Sequence, residues 1–553
     1  QGVFHDVSES AGIINYVLSF GLGLAISDVN GDNWPDIYVS NDFNEEDYLF
    51  INNQDGSFTN QVRSATGHVS LFSMGSDIAD INNDERPDIF TLDMLPESNE
   101  RIKLSSGDDN YDKYRLLVNS GFHHQSMRNM LQLNNGDGTF SEIGQLAGIS
   151  NSDWSWSTFF ADFDGDGFKD LYIGNGYEKD YTNMQFLKYT VDARIKANQT
   201  GVQPTVDEII DNMPSIHVGN FVFKNNGDLT FTKANDTWGM DRPFKSNGAA
   251  YADLDLDGDL DIYVANDTVA NLMLRNDGTG RFEDVAALGG TAGSDRGTPD
   301  GSMGTDVGDF NLDGLPDIWV ANYERENFGL YRNQGNMLFR HVSQSVGIAA
   351  VGGAYVGWGT RFIDADLDGD EDLIVSNGHV IRFPQHSPRL QRPLALESHW
   401  GQRFTNVSDG AGTYMSSPHA GRGLATGDLD SDGDEDVVIS NLNEPAAILS
   451  NEATQGNHWL AVRIKGRGSC RSAIGAVATA IIGGKTLVKQ IRGGSSYGST
   501  SDPRLHFGCG KEKRIDKLTI RWLSGAQLEL KDLDCQQTLT IVEPPSGNGP
   551  SAR

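Results

Sequence analysis

The chain has 553 residues, 38% of them hydrophobic and 9% aromatic, and a formal net charge of −34 at pH 7. This composition allows a sizeable buried core, and the charge argues against nucleic acid or an anionic membrane as partner, because both require clustered Lys and Arg side chains. The longest apolar stretch, AVATAII at 476–482, has only the length of a strand, so no membrane span is predicted.

The first predicted element is a strand at residues 4–8 that begins with Phe4 and has no partner before it. Similar strands follow a turn such as NNGDGTF and begin at Phe58, Phe140, Phe231, Phe282, Phe339 and Phe404. The last repeat ends near 446–450 without such a fourth strand. We therefore expect strand 4–8 to lie beside 446–450 and close the last repeat, which leaves no open sheet edge.

A nine-residue phrase with Asp or Asn at positions 1, 3 and 5 and Asp at position 9 occurs seven times. Position 6 is Gly in five of the seven copies, where the chain has to turn sharply. A solvated Asp-rich turn could explain any single copy, but seven copies in register favour a metal-binding repeat. We number the copies loops 1 to 7: 28–36, 80–88, 162–170, 253–261, 309–317, 364–372 and 428–436.

The acidic spacing of these loops is typical of a calcium site. Ca²⁺ takes about six to eight oxygen ligands, which carboxylates at positions 1, 3, 5 and 9 and a backbone carbonyl at position 7 can supply. An EF-hand is excluded because no Glu stands at position 12 and the flanks are predicted strands. We expect up to seven Ca²⁺ ions with the ligand residues Asp28, Asn30, Asp32, Trp34, Asp36, Asp80, Asn82, Asp84, Arg86, Asp88, Asp162, Asp164, Asp166, Phe168, Asp170, Asp253, Asp255, Asp257, Asp259, Asp261, Asp309, Asn311, Asp313, Leu315, Asp317, Asp364, Asp366, Asp368, Asp370, Asp372, Asp428, Asp430, Asp432, Asp434 and Asp436.

Each loop lies between a small-residue strand, such as GLGLAISD at 21–28, and a hydrophobic strand, such as DIYVSN at 36–41. With a third and a fourth strand, each repeat has four strands joined by turns, which predicts a propeller blade. The predicted fold class is all-β: a seven-bladed β-propeller with calcium loops at 1–454, followed by a small β-rich domain.

Three insertions follow second strands, at about 94–130, 177–220 and 378–402. Because alternate connections of an up-and-down blade lie on opposite faces, we expect the insertions on the face away from the loops. The middle insertion contains MQFLKYTVDARIKANQ and TVDEIIDNM, whose apolar spacing predicts short amphipathic helices. It is the only clearly helical part of the sequence.

From about residue 455 the repeat pattern ends, and strand-like segments from HWLAVRIKG to QTLTIVE predict a separate β-domain at 455–543. The tail 544–553, PPSGNGPSAR, has the composition of a disordered segment. Cys470, Cys509 and Cys535 are the three cysteines, so they allow at most one internal disulfide or remain as free thiols.

The loops and their NNGDGTF turns resemble FG-GAP/VCBS repeats, the blades of integrin α-subunit heads. NHWLAVRIKGRGSCRSAIGAVATAIIGG, GGSSYGSTSDPRLHFGCG and IDKLTIRWLSG are similar to the ASPIC/UnbV domain. Together they resemble the cartilage acidic protein 1 family, and DIFTLDMLPE and SNGHV resemble its bacterial branch. The resemblance implies a secreted or surface-attached, calcium-loaded protein without a settled biochemical activity. Cys470 and Cys509 depart from the family pattern.

Catalytic motifs in the sequence are weak. GSSYG at 494–498 matches G-x-S-x-G around Ser496, but that motif requires a strand-to-helix elbow and this segment is predicted all-β. GGKT at 483–486 lacks the upstream glycine of a phosphate loop. His123, His124, His379 and His419 could be metal ligands or acid-base groups, although isolated histidines are more often structural.

Trp154 and Trp156 alternate along a predicted strand, so both side chains point to one face. Core packing is preferred there to a sugar-stacking platform.

The sequence favours a calcium-binding extracellular, cell-surface or periplasmic propeller that acts as a binding, adhesion or scaffold protein. Millimolar calcium outside the cell would fill weak Asp-rich sites, and a chain that starts at Gln1 without a signal peptide is expected of a processed product. The partner, a glycan or a protein, is expected at the insertion-bearing face. A non-catalytic role is preferred; the alternatives are a propeller-type polysaccharide lyase or glycosidase and a structural component of an extracellular assembly.

Overall fold

The computed structural model of the protein describes residues 3–13, 18–105, 110–216, 218–452, 456–467 and 472–545. Up to residue 451 its strands form seven four-stranded antiparallel sheets and one small parallel pair. In chain order the strands are β1 (Phe4–Asp6), β2 (Gly21–Ser27), β3 (Asp36–Asn41), β4 (Tyr48–Asn52), β5 (Phe58–Asn60), β6 (Val69–Ser70), β7 (Ser76–Ala79), β8 (Asp88–Thr91), β9 (Gln125–Ser126), β10 (Met130–Asn134), β11 (Phe140–Glu142), β12 (Ser155–Ala161), β13 (Asp170–Asn175), β14 (Phe221–Asn225), β15 (Phe231–Lys233), β16 (Ser246–Ala252), β17 (Asp261–Asn266), β18 (Leu272–Asn276), β19 (Phe282–Asp284), β20 (Ser302–Gly308), β21 (Asp317–Asn322), β22 (Gly329–Asn333), β23 (Phe339–His341), β24 (Gly357–Ile363), β25 (Asp372–Asn377), β26 (Leu394–Ser398), β27 (Phe404–Asn406), β28 (Gly421–Gly427), β29 (Asp436–Asn441) and β30 (Ala447–Asn451).

Six sheets use four strands in chain order: β2 to β5; β7, β8, β10 and β11; β12 to β15; β16 to β19; β20 to β23; and β24 to β27. In all seven sheets the second strand is buried along its whole length. A strand covered on both faces needs apolar side chains at successive positions, which DIYVSN and its equivalents supply. These strands form the hydrophobic core of each sheet.

The seventh sheet combines both ends of this region in the order β28, β29, β30, β1. Strand β1 pairs antiparallel with β30, with Phe4 opposite Asn451. The Phe4 ring is 1% exposed and packs in one cluster with Tyr414 and Leu449. The strand expected at 4–8 thus lies beside the strand expected at 446–450, although its regular part is shorter.

Consecutive sheets touch through their first strands. Strand β2 contacts β7, β7 contacts β12, and the series continues through β16, β20 and β24 to β28, which contacts β2. Repeated four-stranded antiparallel sheets with this side-by-side packing are consistent with a β-propeller.

Helices lie between the sheets and in two insertions. The insertion at 94–130 contains two helices, so the expectation that only the middle insertion is helical is wrong; polar N-caps at Ser98 and Asn110 begin them. The insertion expected at 378–402 is shorter than expected, because β26 lies inside that range. The helices are α1 (Val62–Ala65), α2 (Asn99–Leu104), α3 (Tyr111–Asn119), α4 (Gly144–Ala147), α5 (Met184–Thr200), α6 (Val206–Asp211), α7 (Asn235–Trp238) and α8 (Ala286–Gly289), with 3-10 turns at Ile348–Ala350, Gly352–Ala354 and Ser408–Gly410.

The C-terminal region forms a three-stranded sheet, β34-β31-β37, and a four-stranded sheet, β33-β32-β35-β36, around one shared core. Cys509 and Cys535 are free thiols, and Cys470 lies outside the described residues. The strands are β31 (His458–Lys465), β32 (Val477–Ile482), β33 (Lys485–Gln490), β34 (Leu505–Gly510), β35 (Arg514–Arg521), β36 (Gln527–Asp534) and β37 (Gln537–Val542). None of the helices in the described ranges has the length and apolar character needed to span a bilayer.

Candidate functional site

All seven acidic loops occupy the same connection of the fold. In each sheet, position 1 directly follows the first strand and position 9 is the first residue of the second strand. The loops therefore lie on one face, and the connections between second and third strands lie on the other.

Positions 4 and 6 of all seven loops have a left-handed backbone. In loop 4, φ is 63° at Leu256 and 105° at Gly258. A left-handed conformation costs a non-Gly residue about 1–2 kcal/mol, and such strain is typical of functional sites. The sequence indicated a turn at position 6 only; position 4 was missed because it is Gly in just two loops, at Gly31 and Gly165.

Position 9 ties each loop to its sheet. In loop 4, the Asp261 carboxylate accepts hydrogen bonds from the backbone N–H groups of Leu254, 3.0 Å, and Asn276, 2.9 Å. The side-chain amide of Asn276 in turn donates to the backbone carbonyl of Phe163, 2.8 Å, at position 2 of loop 3. The equivalent bonds to a neighbouring loop are made by Asn52, Asn134, Asn225, Asn333 and Asn451.

Positions 5 and 7 also share one contact in every loop. The carboxylate at position 5 accepts a hydrogen bond from the backbone N–H of position 7, at 2.8–3.2 Å. This contact holds the position-5 carboxylate close to the backbone of the residue predicted to supply a carbonyl ligand.

Four loops bring carboxylate oxygens within 4.8 Å of one another, close enough to hold a metal ion. They are the four loops that have Asp rather than Asn at position 3. The groups are Asp162, Asp164 and Asp170 in loop 3; Asp253, Asp255 and Asp261 in loop 4; Asp364, Asp366 and Asp368 in loop 6; and Asp428, Asp430 and Asp432 in loop 7.

The position-1 carboxylate in these four loops has an oxygen without a partner. Oδ1 of Asp162, Asp253, Asp364 and Asp428 is buried and accepts no hydrogen bond from any described residue. A buried charged oxygen without a donor is costly, and coordination to a divalent cation would satisfy it. The donor sets of these four loops therefore fit a hard cation.

Burial raises the pKa of several loop carboxylates, and neighbouring carboxylates raise it further. The pKa of Asp253 rises to about 7 by burial and by Asp257, and that of Asp434 rises to about 10 by burial and by Asp432. Burial also raises the pKa of Asp170 to about 8. Since these groups resist ionisation side by side, a bound cation would stabilise their charged form.

The other three loops have Asn at position 3 and a different local arrangement. Asn30 and Asn82 donate from their side-chain amides to the carboxylates of Asp32 and Asp84, both at 3.0 Å, whereas Nδ2 of Asn311 is buried without a partner. Such loops offer fewer negative ligands and should bind a cation more weakly.

Basic side chains from within the repeats also contact the loops. Lys224 pairs with Asp164 and Asp166 in loop 3, and Arg332 lies 3.0 Å from Asp313 in loop 5. The seven loops are thus chemically unequal.

Two family models match the chain. The FG-GAP-like repeat matches residues 28–91, 115–173, 253–320 and 309–375, and the model described as ASPIC and UnbV matches residues 466–548. The chain carries FG-GAP-like repeats and an ASPIC/UnbV domain. The matched repeats include the first six acidic loops.

Cartilage acidic protein 1 from Xenopus tropicalis and from Homo sapiens are each 27% identical to this chain over 278 residues. The match covers 48% of this chain but only 40% and 39% of those proteins, so the chain spans well under half the length of these relatives. A solved structure of an Agrocybe aegerita lectin that recognises non-reducing terminal N-acetylglucosamine aligns over 82% of this chain and 94% of that chain, at 15% identity and a TM-score of 0.38.

The ASPIC/UnbV domain packs against the loop face of the FG-GAP-like repeats. Its Arg521 lies 3.8 Å from Asp253 and its Arg504 lies 3.7 Å from Asp428. The Asn457 side chain, at the start of the domain, donates to the backbone carbonyl of Asp366, 2.7 Å. The predicted β-domain at 455–543 therefore contacts the repeats through side chains that are distant from them in sequence, which the sequence pattern could not indicate.

A segment of the ASPIC/UnbV domain, residues 493–502, inserts among the first strands of the sheets. The backbone of Ser496 exchanges hydrogen bonds with Thr305 at 2.6 and 3.0 Å, and Ser76 donates its backbone N–H to the carbonyl of Gly498, 3.1 Å. Ile26 donates to Thr500 at 2.9 Å. The segment thus bonds to β2, β7 and β20, and we call it the axial segment.

The axial segment contains the GSSYG motif. Ser496 is fully buried with φ of 69°, and its hydroxyl accepts a hydrogen bond from the Thr360 backbone at 3.0 Å. A nucleophile elbow requires an exposed hydroxyl between a strand and a helix. The structure therefore assigns Ser496 a packing role.

Glycine at the inner strands allows the axial segment to approach. A Cβ on Gly248 would lie 2.8 Å from the carbonyl oxygen of Ser496, and a Cβ on Gly304 would overlap the carbonyl of Trp358. Only a residue without a side chain fits at these two positions.

The histidines singled out from the sequence lie on the other face and do not form one metal group. Nδ1 of His124 is 2.7 Å from the Tyr114 hydroxyl, and Nδ1 of His419 is 2.8 Å from Glu444. His379 accepts a hydrogen bond from the Ile381 backbone at Nδ1. His123 lies beside His124, with ring centroids 5.9 Å apart.

Trp154 and Trp156 belong to an aromatic group on the same face. Trp154 stacks on Tyr177 with ring centroids 4.1 Å apart, and Tyr181, half-exposed, contacts its edge. Trp156 lies 6.3 Å from Tyr497 of the axial segment. Packing is therefore the observed role of these two rings.

A cavity of about 410 Å³ lies next to Asp153 on this face. It is lined by connections that follow second and fourth strands. Arg101 pairs with Asp153 at one side, Lys233 pairs with Glu97 at 2.8 Å, and Asp241 completes the rim. No sequence pattern indicated this cavity, because its wall combines residues from two sheets.

Proposed function

We propose that the protein is a calcium-stabilised, seven-bladed β-propeller that acts outside the cell as a binding or scaffold protein. The proposal that the protein binds calcium is supported by the four carboxylate clusters, each of which has a buried oxygen without a partner at position 1. Ca²⁺ is the favoured cation because the ligands are oxygens from a flexible acidic loop.

Three contacts support a closed ring of seven blades. Asn52 of the first sheet donates to the carbonyl of Leu429 in loop 7, 2.8 Å, and first strands β2 and β28 touch. Strand β1 supplies the fourth strand of the seventh sheet. Together these contacts join the beginning of the repeat region to its end, as closure of a propeller requires.

The face opposite the loops is the proposed binding surface. The ASPIC/UnbV domain covers the loop face, whereas the 410 Å³ cavity and the half-exposed Tyr181 lie on the opposite one. A cavity of this size with charged and amide groups at its rim suits a small polar ligand. A glycan is the partner we favour, because hydroxyl groups can bond to carboxylate, amide and guanidinium groups alike.

Calcium binding is tested by thermal unfolding across a calcium titration, with bound metal counted by elemental analysis before and after chelation. Near seven ions per chain and a large fall in Tm on chelation would support the proposal. Four strongly held ions would match the four clustered loops. No bound calcium and no shift in Tm would contradict it.

Ligand binding is tested on a panel of immobilised neutral and acidic oligosaccharides. We expect Asp241→Ala and Lys233→Ala to reduce binding, because both side chains line the cavity. Asp192→Ala, exposed on α5, is the matched control. Failure of the wild type to bind any oligosaccharide would contradict the glycan assignment and direct the search to a protein partner.

A further inference from the structure

The two oxygens of the position-1 carboxylates face different partners in loops 4, 6 and 7. Oδ1 of Asp253, Asp364 and Asp428 is buried and unpartnered, whereas Oδ2 of each contacts the ASPIC/UnbV domain. The contacts come from Arg521 and Arg504 and from the backbone N–H of residue 508, which donates to Asp364 at 3.1 Å. One oxygen of each carboxylate has no partner among the described residues, whereas the other lies beside the domain and, in loops 4 and 6, also accepts a hydrogen bond from the glycine at position 6 of its own loop, 3.1 Å in both.

The same three loops are the most acidic. Loops 4, 6 and 7 each contain five Asp residues at positions 1, 3, 5, 7 and 9, whereas the other four loops contain three or four. A single divalent cation leaves such a loop strongly negative. A positive group of the domain beside Oδ2 and a cation at Oδ1 therefore both reduce the repulsion among the carboxylates of the loop.

We propose that the ASPIC/UnbV domain is the outer shell of the metal sites in loops 4, 6 and 7, so that cation binding and docking of this domain stabilise each other. Groups that hydrogen-bond a ligating carboxylate fix its orientation, and their loss typically weakens metal binding about 10- to 100-fold. Because the coupling is reciprocal, a bound cation also favours the docked domain. The inference rests on the proposed calcium loops.

Loop 3 serves as a control within the same protein, because the ASPIC/UnbV domain does not contact its position-1 carboxylate in the part of the chain that the structure describes. Asp162 has the same unpartnered Oδ1, but its Oδ2 accepts a hydrogen bond only from Gly167 of its own loop, 2.8 Å, among the described residues. The basic side chain beside this loop is Lys224 of the repeats, which pairs with Asp164 and Asp166. A variant in the ASPIC/UnbV domain should therefore leave this site unchanged.

The first test measures calcium affinity by isothermal titration in the full chain. Arg521→Met is expected to weaken one site about 10-fold and leave the remaining sites unchanged. Arg514→Met is the matched control, because Arg514 lies in the same strand and pairs with Asp534 of its own domain. Equal calcium affinities in wild type and Arg521→Met would overturn the inference.

The second test needs no variant. Hydrogen exchange of the wild type, with and without calcium, is followed at the amide of residue 508 and across β35. Calcium is expected to slow exchange there as well as in loops 4, 6 and 7. If calcium is bound but exchange in the ASPIC/UnbV domain does not change, the proposed coupling is contradicted and the proposed calcium sites are supported. If no calcium is bound, both the coupling and the calcium sites are contradicted.

Discussion

Single buried carboxylates outside the loops also shape the stability of the protein. Asp47 is fully buried and accepts hydrogen bonds from the Tyr38 hydroxyl, 2.6 Å, the Asn41 backbone, 2.8 Å, and the Ser73 hydroxyl, 2.9 Å. Burial nevertheless raises its pKa to about 7, and Asp93 nearby adds to the shift. Burial raises the pKa of Asp42 to about 7 and that of Asp93 to about 6. These groups lie on the face away from the loops.

We expect the free energy of unfolding, measured in saturating calcium, to decrease as pH rises from 4 toward 8. The folded pKa of Asp47 lies above the ordinary value of 3.8, so its contribution is fully present below that value and is lost as pH rises through about 7. Urea unfolding at several pH values checks this. Asp47→Asn should flatten the slope, whereas Asp211→Asn, an exposed control, should not. An unchanged slope in Asp47→Asn would show that Asp47 does not titrate in this range.

At the scale of elements, a repeated asparagine connects six of the seven sheets to a neighbouring loop. Asn276 donates both to Phe163 of the preceding sheet and to Leu260 of its own, 2.8 and 3.2 Å. In the sixth sheet Ser398 takes this place; its backbone N–H donates to Asp372, 2.7 Å, and its hydroxyl accepts a hydrogen bond from the backbone of Gly401 in the same sheet's turn, 3.4 Å. The fifth and sixth sheets are joined elsewhere, because Asp306 in β20 accepts hydrogen bonds from the Phe362 backbone, 2.8 Å, and from the Arg361 side chain, 3.2 Å, both in β24.

Asn276→Ala is expected to destabilise the protein by about 1–3 kcal/mol, because it leaves two buried carbonyl groups without donors. Chemical denaturation of the calcium-loaded protein measures the change. Asn226→Ala, in an exposed turn where the side chain bonds only to Thr230 and Thr232, should have little effect. If both variants lose the same free energy of unfolding, the hydrogen bonds of Asn276 between the sheets do not contribute to stability.

Much at this scale could be predicted from the sequence. Strand alternation and the spaced aspartates predicted an all-β fold, the repeats and the β-rich C-terminal domain, because these depend on residues close in sequence. Helices α2 and α3 were missed because they are short, six and nine residues, and bury none of their residues, so neither leaves a long periodic pattern in the sequence. The contact of Arg521 with Asp253 could not be predicted, since it joins residues far apart in the chain.

At the scale of the whole molecule, two segments hold distant parts together: strand β1 and the axial segment. Strand β1 completes the seventh sheet, and the axial segment joins the ASPIC/UnbV domain to the inner strands. Tyr497 at its centre is 3% exposed and lies 4.8 Å from Trp358, ring centroid to ring centroid.

Phe4→Ala is expected to cost about 3–5 kcal/mol, because it removes a buried ring and weakens the pairing of β1 with β30. Thermal unfolding in calcium is the measurement. Leu288→Ala is the control, since that side chain is 85% exposed. A loss no larger than that of the control would indicate that β1 does not hold the seventh sheet together.

Tyr497→Ala is expected to uncouple the ASPIC/UnbV domain from the repeats. Loss of the ring leaves a cavity at the centre of the contact, which is expected to lower the free energy of unfolding by about 3–5 kcal/mol. Scanning calorimetry should then show two transitions where the wild type shows one. Tyr111→Ala, at a residue that is 69% exposed, should keep the wild-type profile, and a single unchanged transition in Tyr497→Ala would contradict the expectation.

Pairing of β1 with β30 has a consequence for how the chain is made. The hydroxyl of Ser8, just after β1, accepts a hydrogen bond from Ile448, 440 residues later. At ~5–20 residues per second of synthesis, the first strand waits roughly 20 to 90 s for its partner. During that time the nascent chain carries a β-strand without its partner, and the seventh sheet can be completed only after the ribosome has passed Ile448.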